Sequence, residues 1–123
     1  MIASDGVAGH PRNAGTFSRV LARYVRSQNS LTLMDAIRKM TLMPARRLEV
    51  CTPAARNLGR VQEGATADIV IFDPAKIQDG ATYSAPNEPS TGVRYLLVGG
   101  TVVIDNAAVM ANVAPGRAIT SRP

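Results

Sequence analysis

Asp5, His10 and Arg12 lie close together in the stretch Ser4 to Val20, SDGVAGHPRNAGTFSRV. A carboxylate, an imidazole and a guanidinium on one glycine-punctuated loop have the make-up of an active-site rim. Carboxylates and imidazoles move protons, and the planar guanidinium fork receives carboxylates. Each residue also has a plain structural use. An Asp before a Gly is an ordinary turn residue. His10 is the only histidine, and a catalytic zinc takes about three protein ligands. Cys51, the only cysteine, has no His near it in the chain to activate a thiol and reads as a small packing residue. Ser4 lies in no nucleophile-elbow pattern. The glycines at 6, 9 and 15 fit neither the dinucleotide nor the Walker spacing. Taken alone, these residues describe an α+β chain whose function is open.

The elements that must hold this loop follow from the pattern around it. Residues 1–15 read as loop, because Asp5-Gly6, Gly9, Pro11, Asn13 and Gly15 are turn and breaker residues. From a Thr16 cap, Phe17, Val20, Leu21, Tyr24 and Val25 recur with the helical period. This predicts a helix over 16–26. Thr32 and Asp35 form a loose capping box for a second helix over 32–40. Pro44 suits the first position of a short third helix, Pro44 to Leu48. Residues 49–58 read as a loop with at most one helical turn.

After Gly59 the chain turns to strands. A short strand is expected near Arg60–Gln62, with a turn at Glu63-Gly64. Ile69–Phe72 reads as a strand buried on both faces. Residues 75–92, rich in Gly, Pro, Ser and Asn, read as an exposed connector. Val93–Val98 and Thr101–Asp105 flank Gly99-Gly100, the signature of a hairpin. The tail, Asn106–Pro123, reads as irregular. So small a sheet needs a partner surface to bury its apolar face.

Composition narrows the function classes. The chain has 123 residues, enough for one modest domain. It carries a net charge of +5, and its basic residues are mostly arginine. These are scattered, with no basic run longer than two, and no aromatic strand is present on which bases could stack. A nucleic-acid binder is therefore disfavoured. No apolar run reaches the roughly 18 residues of a membrane span. No signal-peptide pattern opens the chain, so a cytoplasmic location is expected.

Four blocks, in order, carry a resemblance: SDG…HPRNAGTFSRVLARYVR, LTLMDAIRKMTLMPARRL, GRVQEGATADIVIFDP and VRYLLVGGTVVIDN. Together they resemble the C-terminal portion of N-acyl-D-amino-acid deacylases (D-aminoacylases), in the metal-dependent amidohydrolase superfamily. The likeness runs from Ala3 to about Arg117 and is most specific in the first block. It implies that residues 1–58 are the end of a (β/α)8 barrel, with the catalytic loop and closing helices. Residues 59–123 would be the C-terminal part of a small β-sandwich and a tail.

The resemblance also assigns roles. Asp5 would be the general base, touching the metal-bound water and acting at most as a weak metal ligand. Arg12 would bind the substrate's α-carboxylate. His10 would shape the loop. Zinc is the parent family's cofactor, and an N-acyl-D-amino acid its substrate. The family's H-x-H pair and its other metal ligands have no counterpart here, and Glu49 stands where the family often has glycine. This chain alone is therefore expected to hold no zinc tightly and to show no deacylase activity. Its expected partner is a barrel portion outside these residues or a second copy of itself. A non-catalytic interaction or oligomerisation module is the alternative.

Overall fold

The computed structural model describes residues 1–120, and shows helices first and a sheet second. Helix α1 (Arg12–Arg19) runs without a break into a π-helical stretch (Val20–Ser27). Helices α2 (Leu33–Met40) and α3 (Leu42–Leu48) follow, and then a 3-10 turn over Pro53–Asn57.

Helix α1 starts four residues before the expected Thr16 cap. Thr16 is interior, and its hydroxyl donates to the Arg12 carbonyl at 2.7 Å. The breaker reading of Gly15 fails for a packing reason. Gly15 is buried, and a Cβ there would sit 3.2 Å from the Asp79 Cβ and 3.4 Å from the Ala81 Cβ. Its helix cost of about 1 kcal/mol is offset by the close approach it allows the 79–81 segment.

The π-helical stretch splits the expected apolar stripe. Gln28 N–H bonds the Arg23 carbonyl at 2.9 Å, a five-residue step. Such a turn is wider than an α-turn and breaks the 3.6 period. Val20 and Leu21 are buried, but Phe17 and Tyr24 stay exposed. Arg26, in the last turn of this stretch, sends its side chain to the connector. Its guanidinium donates to the carbonyls of Pro74 (3.1 Å) and Ile77 (2.7 Å) and to Gln78 Oε1 (3.0 Å). One planar fork thus fastens the connector to the helix.

Helix α2 begins as expected, with the Asp35 N–H donating to Thr32 Oγ1 at 3.1 Å. Helix α3 begins at Leu42, two residues early, so Pro44 is its third residue. Proline is tolerated there because first-turn N–H groups have no intrahelical partner. Gly59 adopts φ +66°, and a Cβ there would lie 2.6 Å from the Thr41 carbonyl oxygen. Only glycine lets the chain fold back so closely on the α2–α3 junction.

Strands β1 (Ile69–Phe72), β2 (Val93–Val98), β3 (Thr101–Asp105) and β4 (Ala108–Val109) form an antiparallel meander in sequence order. The β2–β3 hairpin turns on Gly99 and Gly100, at φ 55° and 83°, as the sequence predicts. β4 was not expected. Asn106 and Ala107, at φ 46° and 69°, make a second tight turn without a glycine to announce it. The rest of the expected irregular tail has no regular structure as far as residue 120, and its last three residues lie outside those described.

Three further expectations are corrected. Arg60–Gln62 is not a strand, because among the described residues no backbone ladder pairs with it. β1 is not buried on both faces. It lies at the sheet edge, and Val70 and Ile71 keep 49% and 50% of their surface exposed. Neighbours in a strand point to opposite faces, so β1 is part-open on each face at these two residues. The connector is not simply exposed either. Ile77 is 3% exposed and joins Val20, Leu21 and Ala36 in the core, with Phe72 and Val93 packed against it. The core therefore lies between the helices and the connector, where it braces the segment beside Arg12. No helix among the described residues is long and apolar enough to cross a membrane.

Candidate functional site

Asp5 and Arg12 come together at the head of α1. Asp5 sits at φ 46°, a left-handed conformation that Asp and Asn tolerate better than most residues. Its carboxylate is 87% exposed, and Oδ2 lies 3.4 Å from Arg12 Nη2. The pair is loose and wet, the kind worth about 0–1 kcal/mol.

Arg12 is the first residue of α1, so its backbone is fixed although its side chain reaches outward. Its Nε is shielded from solvent and has no hydrogen-bond partner among the described residues. A buried donor left unpaired is costly. It is one that an incoming acceptor would satisfy.

His10 is engaged on both ring nitrogens. Nδ1 accepts the Arg12 backbone N–H at 3.1 Å, and Nε2 lies 3.4 Å from the Tyr83 hydroxyl. The His10 and Tyr83 rings meet edge to face, with centroids 5.1 Å apart. A cleft of about 80 Å³ beside them is lined by Arg12, Thr16, Arg19, Asp79 and Tyr83 among others. Arg19 Nε donates to Asp79 Oδ2 at 2.8 Å, and the Asp79 side chain is only 8% exposed. Arg19 is thereby paired, while among the described residues Arg12 faces the exposed Asp5. The sequence reading missed Tyr83 and Asp79. Both sit in the polar connector, far from the loop in sequence, and no local pattern marks them.

The donor set is wrong for a metal centre. Among the described residues, no three of His, Cys, Asp and Glu come together. His10 is committed to the helix and to Tyr83. Cys51 is exposed beyond the end of α3, with Sγ 3.5 Å from the Leu48 carbonyl oxygen. That leaves Asp5, a single carboxylate where zinc needs about three ligands. These residues by themselves do not fit a zinc site. They can still provide a proton-accepting carboxylate beside a carboxylate receptor.

Comparison with known proteins places this geometry in context. The model of the amidohydrolase family matches residues 2–104. An N-acyl-D-glutamate deacylase of Alcaligenes xylosoxydans xylosoxydans is 42% identical over 111 residues, covering 87% of this chain and 22% of that protein. The N-acyl-D-glutamate deacylase of Bordetella bronchiseptica, solved with zinc and a phosphonate mimic of the tetrahedral intermediate, is also similar. It superposes with a TM-score of 0.81 at 38% identity, over 97% of this chain and 24% of that one. A crystal structure of D-aminoacylase gives 0.79 at 36% identity, over 91% and 23%. The chain thus spans less than a quarter of the length of each of these relatives.

Proposed function

Because this chain belongs to the amidohydrolase family, we propose that it supplies one side of the active site of an N-acyl-D-amino-acid deacylase. Asp5 is the proton-transferring carboxylate and Arg12 the receptor for the substrate's α-carboxylate. The observation that carries this reading is their juxtaposition, with 3.4 Å between the two charged groups. It occurs in a segment alike in sequence and fold to deacylases of N-acyl-D-amino acids.

The chemistry follows from the two side chains. An arriving α-carboxylate takes the guanidinium fork and releases Asp5 from its weak pair. Arg12 Nε gains the acceptor it lacks. Asp5 then takes a proton from the water that adds to the acyl carbonyl. As the C–N bond breaks, Asp5 returns that proton to the leaving nitrogen. The products are a free carboxylic acid and a D-amino acid, and Asp5 ends as it began. The anchor at the α-carboxylate and the base at the amide together orient the scissile bond for attack. Zinc has no site among the described residues.

Residues 1–58 are read as the end of the barrel, and residues 59–123 as the C-terminal part of a small β-sandwich with a tail whose last three residues lie outside those described. The open faces of β1, at Val70 and Ile71, support this division. Each is an apolar surface that a further layer would cover.

The test is a segment exchange. In the Alcaligenes N-acyl-D-glutamate deacylase, the aligned C-terminal segment is replaced by this chain. The exchanged enzyme, loaded with zinc, is expected to hydrolyse N-acetyl-D-glutamate. The 123-residue chain alone, with the same zinc, is expected to give no turnover. A folded, zinc-loaded exchange enzyme that is inactive contradicts the reading, and so does activity of the chain alone.

A further inference from the structure

We infer that His10 is the positioning residue for Arg12. Its ring replaces the usual side-chain cap of α1, and Tyr83 from the connector holds that ring in place. The inference rests on the reading of Arg12 as a carboxylate receptor.

A helix leaves its first N–H groups without intrahelical partners. An oxygen of Ser, Thr, Asp or Asn normally accepts from one of them. Here Pro11, which has no N–H, stands at the cap position and supplies no side-chain acceptor. The first donor is Arg12 N–H, and it points to His10 Nδ1 at 3.1 Å. To accept, Nδ1 must carry its lone pair, so the neutral ring has its proton on Nε2. That nitrogen faces the Tyr83 hydroxyl at 3.4 Å, and the tyrosine ring packs edge to face against the imidazole. Both nitrogens are therefore engaged in orienting the ring.

The consequence falls on Arg12. Among the described residues its side chain is tied to Asp5, through a loose and exposed pair. The guanidinium is carried on the first helical turn, whose first N–H donates to His10 Nδ1 at 3.1 Å. Tyr83 meets the imidazole from the connector, whose earlier part Arg26 and Ile77 anchor.

The test uses the isotopically labelled 123-residue chain. Long-range proton–nitrogen spectra of the wild type should show the Nε2–H tautomer, and an Nδ1–H tautomer overturns the inference. This reading needs no substitution, so it survives a variant that fails to fold. In His10→Ala, hydrogen exchange at the Arg12 amide should rise about fivefold, the loss of one cap. His10→Asn, whose Oδ1 falls near the position of Nδ1, should restore most of the protection. His10→Gln should not. Equal exchange in wild type and His10→Ala, or no rescue by Asn, overturns the inference.

Acetate titration, followed at Arg12 Nε, separates this idea from the one beneath it. An acetate response that weakens in His10→Ala and returns in His10→Asn supports the positioning role. A response unchanged in His10→Ala overturns it. No response in the wild type overturns the receptor reading of Arg12, while the tautomer and exchange results still decide the role of His10.

Discussion

Asp5→Asn in the segment-exchanged enzyme is expected to lower kcat by about 10²–10⁴-fold, the usual contribution of a positioned acid–base group. KM for N-acetyl-D-glutamate should stay within about threefold, because the lost function is proton transfer and not binding. Asparagine is the informative replacement. It nearly matches aspartate in shape, and it tolerates the left-handed backbone that Asp5 adopts at φ 46°. A loss of activity then reports on the proton and not on a strained loop. Alanine at this position would confuse the two. Steady-state kinetics with zinc content measured in parallel make the comparison. A variant that keeps its metal and more than a tenth of its kcat would remove Asp5 from the proton-transfer role.

Arg12→Ala is expected to act mainly on KM. Truncating one partner of a hydrogen-bonded charge pair costs about 2–4 kcal/mol, so kcat/KM should fall about thirtyfold to several hundredfold. Arg12→Lys should recover only part of the loss, because an ammonium cannot grip a carboxylate with two parallel bonds. The control is a substrate whose α-carboxylate has been converted to an amide. On it, the wild type and Arg12→Ala should differ by less than about threefold. If Arg12→Ala harms both substrates equally, the guanidinium stabilises the loop and does not receive the carboxylate. The distinction matters because the free chain shows Arg12 paired with Asp5 at 3.4 Å, an arrangement that would also serve a purely structural role.

Features were legible in the sequence where the physical signal was local. Gly99-Gly100 marked its hairpin because both turn positions need positive φ. Thr32 and Asp35 marked a helix start because cap and amide are three residues apart. Where the cause lay far away in the chain, local reading failed. Gly15 looked like a breaker because the 79–81 segment that needs its missing side chain is more than sixty residues on. Ile77 looked like a loop residue because the helices that bury it come from the other half of the chain. The strand expected at Arg60–Gln62 had suitable residues but no described neighbour to pair with.

The candidate site divides in the same way. The residue types at Asp5, His10 and Arg12 stood out at once, but spacing alone left their roles open between turn and catalysis. Family resemblance supplied the roles, and comparison with relatives confirmed the family. Geometry added what neither could. Arg12 Nε lacks a partner, His10 is engaged on both sides, and Tyr83 completes the arrangement from the connector.

Asp5 and Arg12 are expected to separate when substrate arrives, one turning to the reacting carbonyl and the other to the α-carboxylate. The most direct measurement is a crystal structure of the exchanged enzyme with zinc and a phosphonate mimic of the tetrahedral intermediate. Such separation predicts the Asp5 carboxylate within hydrogen-bonding distance of a phosphonate oxygen, and the Arg12 guanidinium on the inhibitor's α-carboxylate. An Arg12 still paired with Asp5, with the inhibitor's carboxylate held by other residues, would contradict it.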